Sequence, residues 1–274
     1  MVDWHGRPAG CVTAVAITAA AFVIGAAPAV GDPLIPGQWT VTLGAEGQVL
    51  PGFDGADVYT LRPYPIFGLR TLGSPAQFHS PRDGVGFALY DTNGFSAGPV
   101  GTLKSGRTAS DYNALQGLDS VDWALELGGF AQYWFTPWLR SRLELEQGFF
   151  GNHGVTAQSI TDVVAPVGPQ WILSGGPRLT LADARALNPY FGIDAAESAA
   201  SGLPIFDPKG GLRSFGAGTQ AQYWWTPRWE SHVYLEYDRL GADAADSPLV
   251  IQRGSPNQMT FGVGASYSFD VKLW

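Results

Sequence analysis

The chain has 274 residues and a formal net charge of −8, and only 15% of its residues are charged. Phosphate binding needs clustered Lys and Arg, so this acidic balance argues against nucleic acid as a partner. The 36 glycines, with 10 Trp, 10 Tyr and 15 Phe, exclude a disordered chain, fit a helical bundle poorly and suit a β-rich protein with many turns.

Residues Cys11 to Ala27 form an apolar run that ends at Ala27-Pro28-Ala29. Such a run followed by a small-residue cleavage pattern predicts a secretory signal peptide over residues 1–29, removed on export. Cys11 is the only cysteine, so a mature chain over residues 30–274 uses no disulfides. No other segment has the roughly 18 continuous apolar residues of a membrane helix. If the mature chain crosses a membrane, it does so as a barrel, because only helices and closed barrels satisfy every backbone polar group in hydrocarbon.

Strands are expected near residues 38–50, 57–63, 66–72, 77–90, 95–105, 121–135, 138–150, 153–165, 168–182, 211–225, 228–240 and 257–271. That makes about 12, or 10 if the proline-rich stretch 51–80 merges or leaves the wall. The alternation is clearest around the first of two copies of one motif, AQYWFTPW at 131–138 and AQYWWTPR at 221–228. Leu125, Leu127, Gly129, Ala131, Tyr133 and Phe135 share one face before Thr136-Pro137. After it, Leu139, Ser141, Leu143 and Leu145 oppose Arg140, Arg142, Glu144 and Glu146. A period of two places charge on one side of a strand and aliphatic carbon on the other. Strands of this length, with aromatics at their ends and opposed charges on the polar face, predict an all-β antiparallel transmembrane barrel with lipid outside.

Both Thr-Pro turns, Asp91–Gly94 and Pro166–Gly168 are short and fall on one side. The long connections 106–120, 183–210 and 241–256 fall on the other. Short turns face the periplasm and long loops face outside. Within the loop at 183–210, Asp194 caps an expected short helix over AAESAA that Gly202 stops.

Three groups of residues invite a chemical reading. Gly94-Phe95-Ser96-Ala97-Gly98 matches the nucleophile elbow, yet it follows a turn and enters a strand instead of opening a helix. His79, His153 and His232 lack metal-ligand spacing, and His232 fits a polar network with Glu230 and Tyr234 on the lumen face. Glu126, Arg140, Arg142, Glu144, Glu146 and Glu236 read as an ion-pair lattice filling the barrel, or, in a wide pore, as a selectivity lining. No catalytic, cofactor-binding or metal-binding residue is assigned.

Asn188-Pro189-Tyr190-Phe191-Gly192-Ile193 followed by Ala199-Ala200-Ser201-Gly202-Leu203-Pro204 resembles a signature of the MipA/OmpV family. The stretch Arg239 to Val250, the segment Leu115–Leu118 with Gly106-Arg107, and Trp39 through Pro51 with Gly55 resemble further segments in the same order. The resemblance implies an outer-membrane β-barrel without enzymatic activity or cofactor. It further implies a scaffold in murein assembly, with a lytic transglycosylase and a murein synthase as expected partners alongside the lipid. The alternatives within the family are a small porin-like channel or an adhesin. One departure stands out: the chain continues past Phe269 as Asp270 to Trp274.

Overall fold

A computed structural model describes residues 37–72 and 78–273. The expected signal peptide, Cys11, Pro75, Gln77 and Trp274 lie outside the described residues. The strands are β1 (Gly37–Pro51), β2 (Tyr59–Thr71), β3 (Val85–Gly86), β4 (Tyr90–Thr92), β5 (Phe95–Lys104) and β6 (Ala124–Thr136). They continue as β7 (Leu139–Gly148), β8 (Val155–Val167), β9 (Trp171–Asp183), β10 (Gly210–Trp224), β11 (Trp229–Leu240) and β12 (Asn257–Leu273). All belong to one antiparallel sheet, which runs β2-β1-β12-β11-β10-β9-β8-β7-β6-β5-β3, with β4 also on β5.

The sheet curls with its polar face inward. Arg140 and Glu126 are fully buried, whereas Leu143 and Leu145 on the opposite parity are each 58% exposed. This inverts the burial of a water-soluble sandwich, and it is the arrangement that lipid outside demands. At the short-turn rim the outward side chains are aromatic. Trp171 meets Tyr223 at 4.7 Å, Tyr223 meets Trp225 at 4.7 Å, and Trp229 meets Tyr267 at 5.2 Å. The first copy of the repeat adds Tyr133 and Phe135 at 4.9 Å. Amphipathic rings of this kind settle at the headgroup level.

The residues past Phe269 extend the strand that joins the two ends of the chain. β12 pairs with β1 as far as Gly37 opposite Leu273. Asp270 accepts from the Thr40 hydroxyl at 2.9 Å and from Arg228 at 3.3 Å.

Two expectations in the proline-rich region need correction. The stretches 57–63 and 66–72 form one strand, β2, despite Pro63 and Pro65. Proline survives there because β2 is an edge strand, bonded only to β1. The stretch 77–90 is not a strand. Residues 78–84 leave the wall and enter the lumen, and only Val85–Gly86 and Tyr90–Thr92 pair with β5. Pro81 sits second in a tight turn closed by the Asp83 amide on the Ser80 carbonyl at 3.0 Å. Twelve strands are therefore present among the described residues, ten long and two short.

Among the described residues four α-helices lie in the long connections: α1 (Ala184–Phe191), α2 (Ala195–Ser201), α3 (Ala242–Asp246) and α4 (Pro248–Arg253). The expected AAESAA helix is α2. Its capping box joins Asp194 and Glu197 reciprocally, and Gly202 ends it at φ 76°.

Candidate functional site

The lumen is built around residues 78–84. The turn at Pro81 points Asp83 between two guanidinium groups of the wall, those of Arg140 and, at 3.9 Å, Arg142. Arg140 on β7 donates to Asp83 at 2.6 Å, to Asp162 on β8 at 3.1 Å and to Gln132 on β6 at 2.8 Å. Arg178 on β9 donates to Asp162 at 2.7 Å and to the Ser80 hydroxyl at 3.0 Å. Arg82 reaches the other wall, donating to Glu236 at 3.1 Å and to Asp238, both on β11. The Gly84 amide donates to Glu144 at 3.1 Å, and Glu144 pairs with Arg142 at 2.6 Å. One seven-residue segment thus touches strands from β6 to β11, and every charge it brings meets an opposite charge.

The expected ion lattice is present except at Glu146, which accepts from the Thr102 hydroxyl at 3.2 Å, and its centre is a segment expected in the wall. Glu126 pairs with Lys104 at 2.8 Å and accepts from Asn152 at 2.8 Å. A further network covers the β1–β11 side. His232 contacts Glu46 at 2.7 Å and Glu230 at 3.2 Å, while the Tyr234 hydroxyl donates to Glu46 at 2.8 Å. Gly262 and Gly264 on β12 make room for these rings. A Cβ at either position would lie within 2.8 Å of Tyr234 or His232.

Apolar layers close both ends of this polar column. At the short-turn end Phe78 packs with Val164 and Ile172, against Trp134 and Trp224. These two tryptophans are the inward-facing members of the repeated motif. At the other end the long connections fold into a cap. One cluster holds Leu187, Tyr190, Phe191, Ala244 and Val250; a second holds Phe53, Leu115, Leu118, Ile193, Leu203 and Leu249. Arg107 locks the cap by donating to the Tyr190 carbonyl at 2.9 Å and to the Pro189 carbonyl at 3.4 Å. Burial lowers its pKa from the ordinary value, with the Asp54 carboxylate opposing. Ser247 donates to the Phe191 carbonyl at 2.7 Å. Of the segments quoted above for their family resemblance, those at 188–204, 239–250 and 115–118 with Arg107 meet in this cap, whereas Trp39 through Pro51 lies in β1.

The other singled-out residues stay apart. Ser96 lies inside β5, after a two-residue hairpin at Asn93 and Gly94 with φ of 49° and 80°. His79 is 3.9 Å from Asp83 at the foot of the inner segment. His153 lies in the β7–β8 connection, where its carbonyl accepts from Gln147 at 2.8 Å. The inner segment was the residue set that sequence reasoning missed. The signal for it was Ser80-Pro81-Arg82-Asp83-Gly84, a turn composition inside an apparent strand.

The model of the family described as "MltA-interacting protein MipA" matches residues 43–269. No curated protein matches the sequence significantly. Among solved structures, the chain is similar to the KdgM porin at 10% identity and TM-score 0.43, covering 83% of this chain and 99% of that one. It is also similar to an outer membrane channel from Pseudomonas putida F1 at 11% identity and TM-score 0.42, covering 89% and 100%. The CymD monoaromatic hydrocarbon channel matches at 10% identity and TM-score 0.37, covering 86% and 89%.

Proposed function

The chain belongs to the MltA-interacting protein MipA family and is an outer-membrane β-barrel, and from that premise we propose that it is a non-enzymatic scaffold of murein assembly. In this reading it holds a lytic transglycosylase and a murein synthase at the periplasmic rim. The observation that carries it is the filled lumen. Residues 78–84 occupy the middle, Phe78 with Trp134 and Trp224 closes one end, and the cap closes the other. A solute crossing the lumen would have to break buried ion pairs, whose separation costs about 3–5 kcal/mol per uncompensated charge. With the interior committed to its own packing, the work of the protein falls to its outer surfaces.

The test has two arms. In planar bilayers the purified protein should give no stable conductance; a persistent open channel would favour the porin-like reading and reject a pure scaffold. In pull-downs from solubilised envelopes the protein should retain a lytic transglycosylase together with a murein synthase. Recovery at the level of an unrelated barrel would count against the scaffold.

A further inference from the structure

Most carboxylates of the lumen meet an arginine or a lysine. Glu46 on β1 and Glu230 on β11 do not. Among the described residues the only basic side chain that either contacts is His232. The three sit where β12 joins the first strand of the wall to β11. In register, Gly264 of β12 stands between His232 on one flank and Glu46 on the other. Neighbouring strands lie about 4.8 Å apart, so His232 and Glu46 start about 10 Å from each other. Glycine leaves the space between them open, and a Cβ at Gly264 would fall 2.8 Å from Cε1 and Nε2 of the ring. His232 lies over this glycine, with Nε2 2.7 Å from Glu46 and Nδ1 3.2 Å from Glu230.

That geometry decides the charge of the ring. An ionised carboxylate only accepts, and a neutral imidazole has one N–H and one lone pair. A neutral ring held between two carboxylates would set its lone pair against an oxygen. An imidazolium donates to both at once. The other neighbours confirm that both carboxylates act as acceptors. Gln48 donates to Glu46 at 2.6 Å and the Tyr234 hydroxyl donates to it at 2.8 Å. Ser266 and Gln222 are donors to Glu230, each at 3.5 Å.

No second cation supplements the ring. Arg82 of the inner segment is committed to Glu236 and Asp238. Arg62, opposite Gln48 on β2, donates to the Gly52 carbonyl at 2.8 Å. His79 lies within the field of Glu230, but its near partner is Asp83 at 3.9 Å. Tyr64 on β2 stands opposite Glu46, and Gln222 on β10 stands opposite His232. We propose that His232 is a proton-operated clasp: as an imidazolium it ties β11 to β1 across β12, and loss of its proton frees that corner of the wall. Deprotonation leaves two carboxylates, 12% and 15% exposed, with no cation between them. The stabilisation is present while the folded ring holds both protons and is lost as the pH rises through its titration.

The test uses the full chain in detergent micelles, isotope-labelled at the histidine ring nitrogens for NMR. The signal of His232 is the one missing from His232→Gln. At about pH 8, where an ordinary histidine titrating near about 6.5 is neutral, both its nitrogens should be protonated. The urea midpoint of the heat-modifiable band should fall between about pH 6 and about pH 9, and fall further in the wild-type chain than in His232→Gln, which keeps His79 and His153. Glu46→Gln removes one of the two carboxylates and keeps the side chain's shape. It should move the ring's titration to lower pH in a barrel that still migrates as folded. A neutral ring at about pH 8, an equal fall of the midpoint in His232→Gln, or an unmoved titration in Glu46→Gln would each overturn the proposal.

Discussion

The protein has two interiors that obey opposite rules. In the lumen the largest fully buried side chain is Arg140, accompanied by Glu126, Glu144 and Glu146. In the cap, the buried side chains are Phe191, Leu115, Leu187 and Leu249. The difference lies in what surrounds each region. The wall faces lipid, so moving a leucine inward gains nothing, and apolar residues stay outside. Its interior is held by directed, charge-assisted hydrogen bonds. The cap stands in water beyond the membrane, so its loops bury carbon as any soluble domain does. A single chain therefore carries a charged core and an apolar core, stacked along one axis.

Substitutions can break that contrast. The largest effect is expected from Arg140→Ala, which takes from buried Asp83 its close guanidinium partner and leaves Asp162 with Arg178 alone. A loss of about 3–5 kcal/mol is expected, read as a lower urea midpoint for the folded, heat-modifiable band in detergent. Next, Leu143→Arg sets a charge on the lipid face and should cost about 2–4 kcal/mol. Assembly into vesicles should fall sharply; normal assembly would mean that the faces are assigned wrongly.

In the cap, Leu249→Ala should cost about 2 kcal/mol, near the low end for a buried leucine because loops can collapse into the space. Limited proteolysis should open the long connections while the barrel keeps its heat-modifiable migration. If both interiors loosened together, the two would be one cooperative unit. The smallest effect is expected from Asp194→Ala, which removes the cap of α2 for about 1 kcal/mol. Faster amide exchange confined to α2 and its neighbours would show it.

The repeated motif illustrates what local pattern can and cannot carry. Its alternation placed Tyr133 and Tyr223 outward and Trp134 and Trp224 inward, and the structure agrees, because facing in a strand follows from parity alone. Cap and stop signals likewise located α2. Residues 78–84 fall inside an expected strand, yet they fill the lumen. Parity says that alternate side chains part company, and it is silent on whether a neighbour pairs with the backbone between them.

The sequence by itself determined an inside-out, antiparallel barrel, its outward face, its short-turn rim and the charged character of its lumen. Each follows from chemistry repeated within a few residues. Only the tertiary structure decided that Asp83 sits between Arg140 and Arg142, that four distant loops share the cap, and that His232 reaches Glu46 across Gly264. These are contacts between residues far apart in the chain. Their formation depends on closure, register and competing partners, none of which is written in a local period.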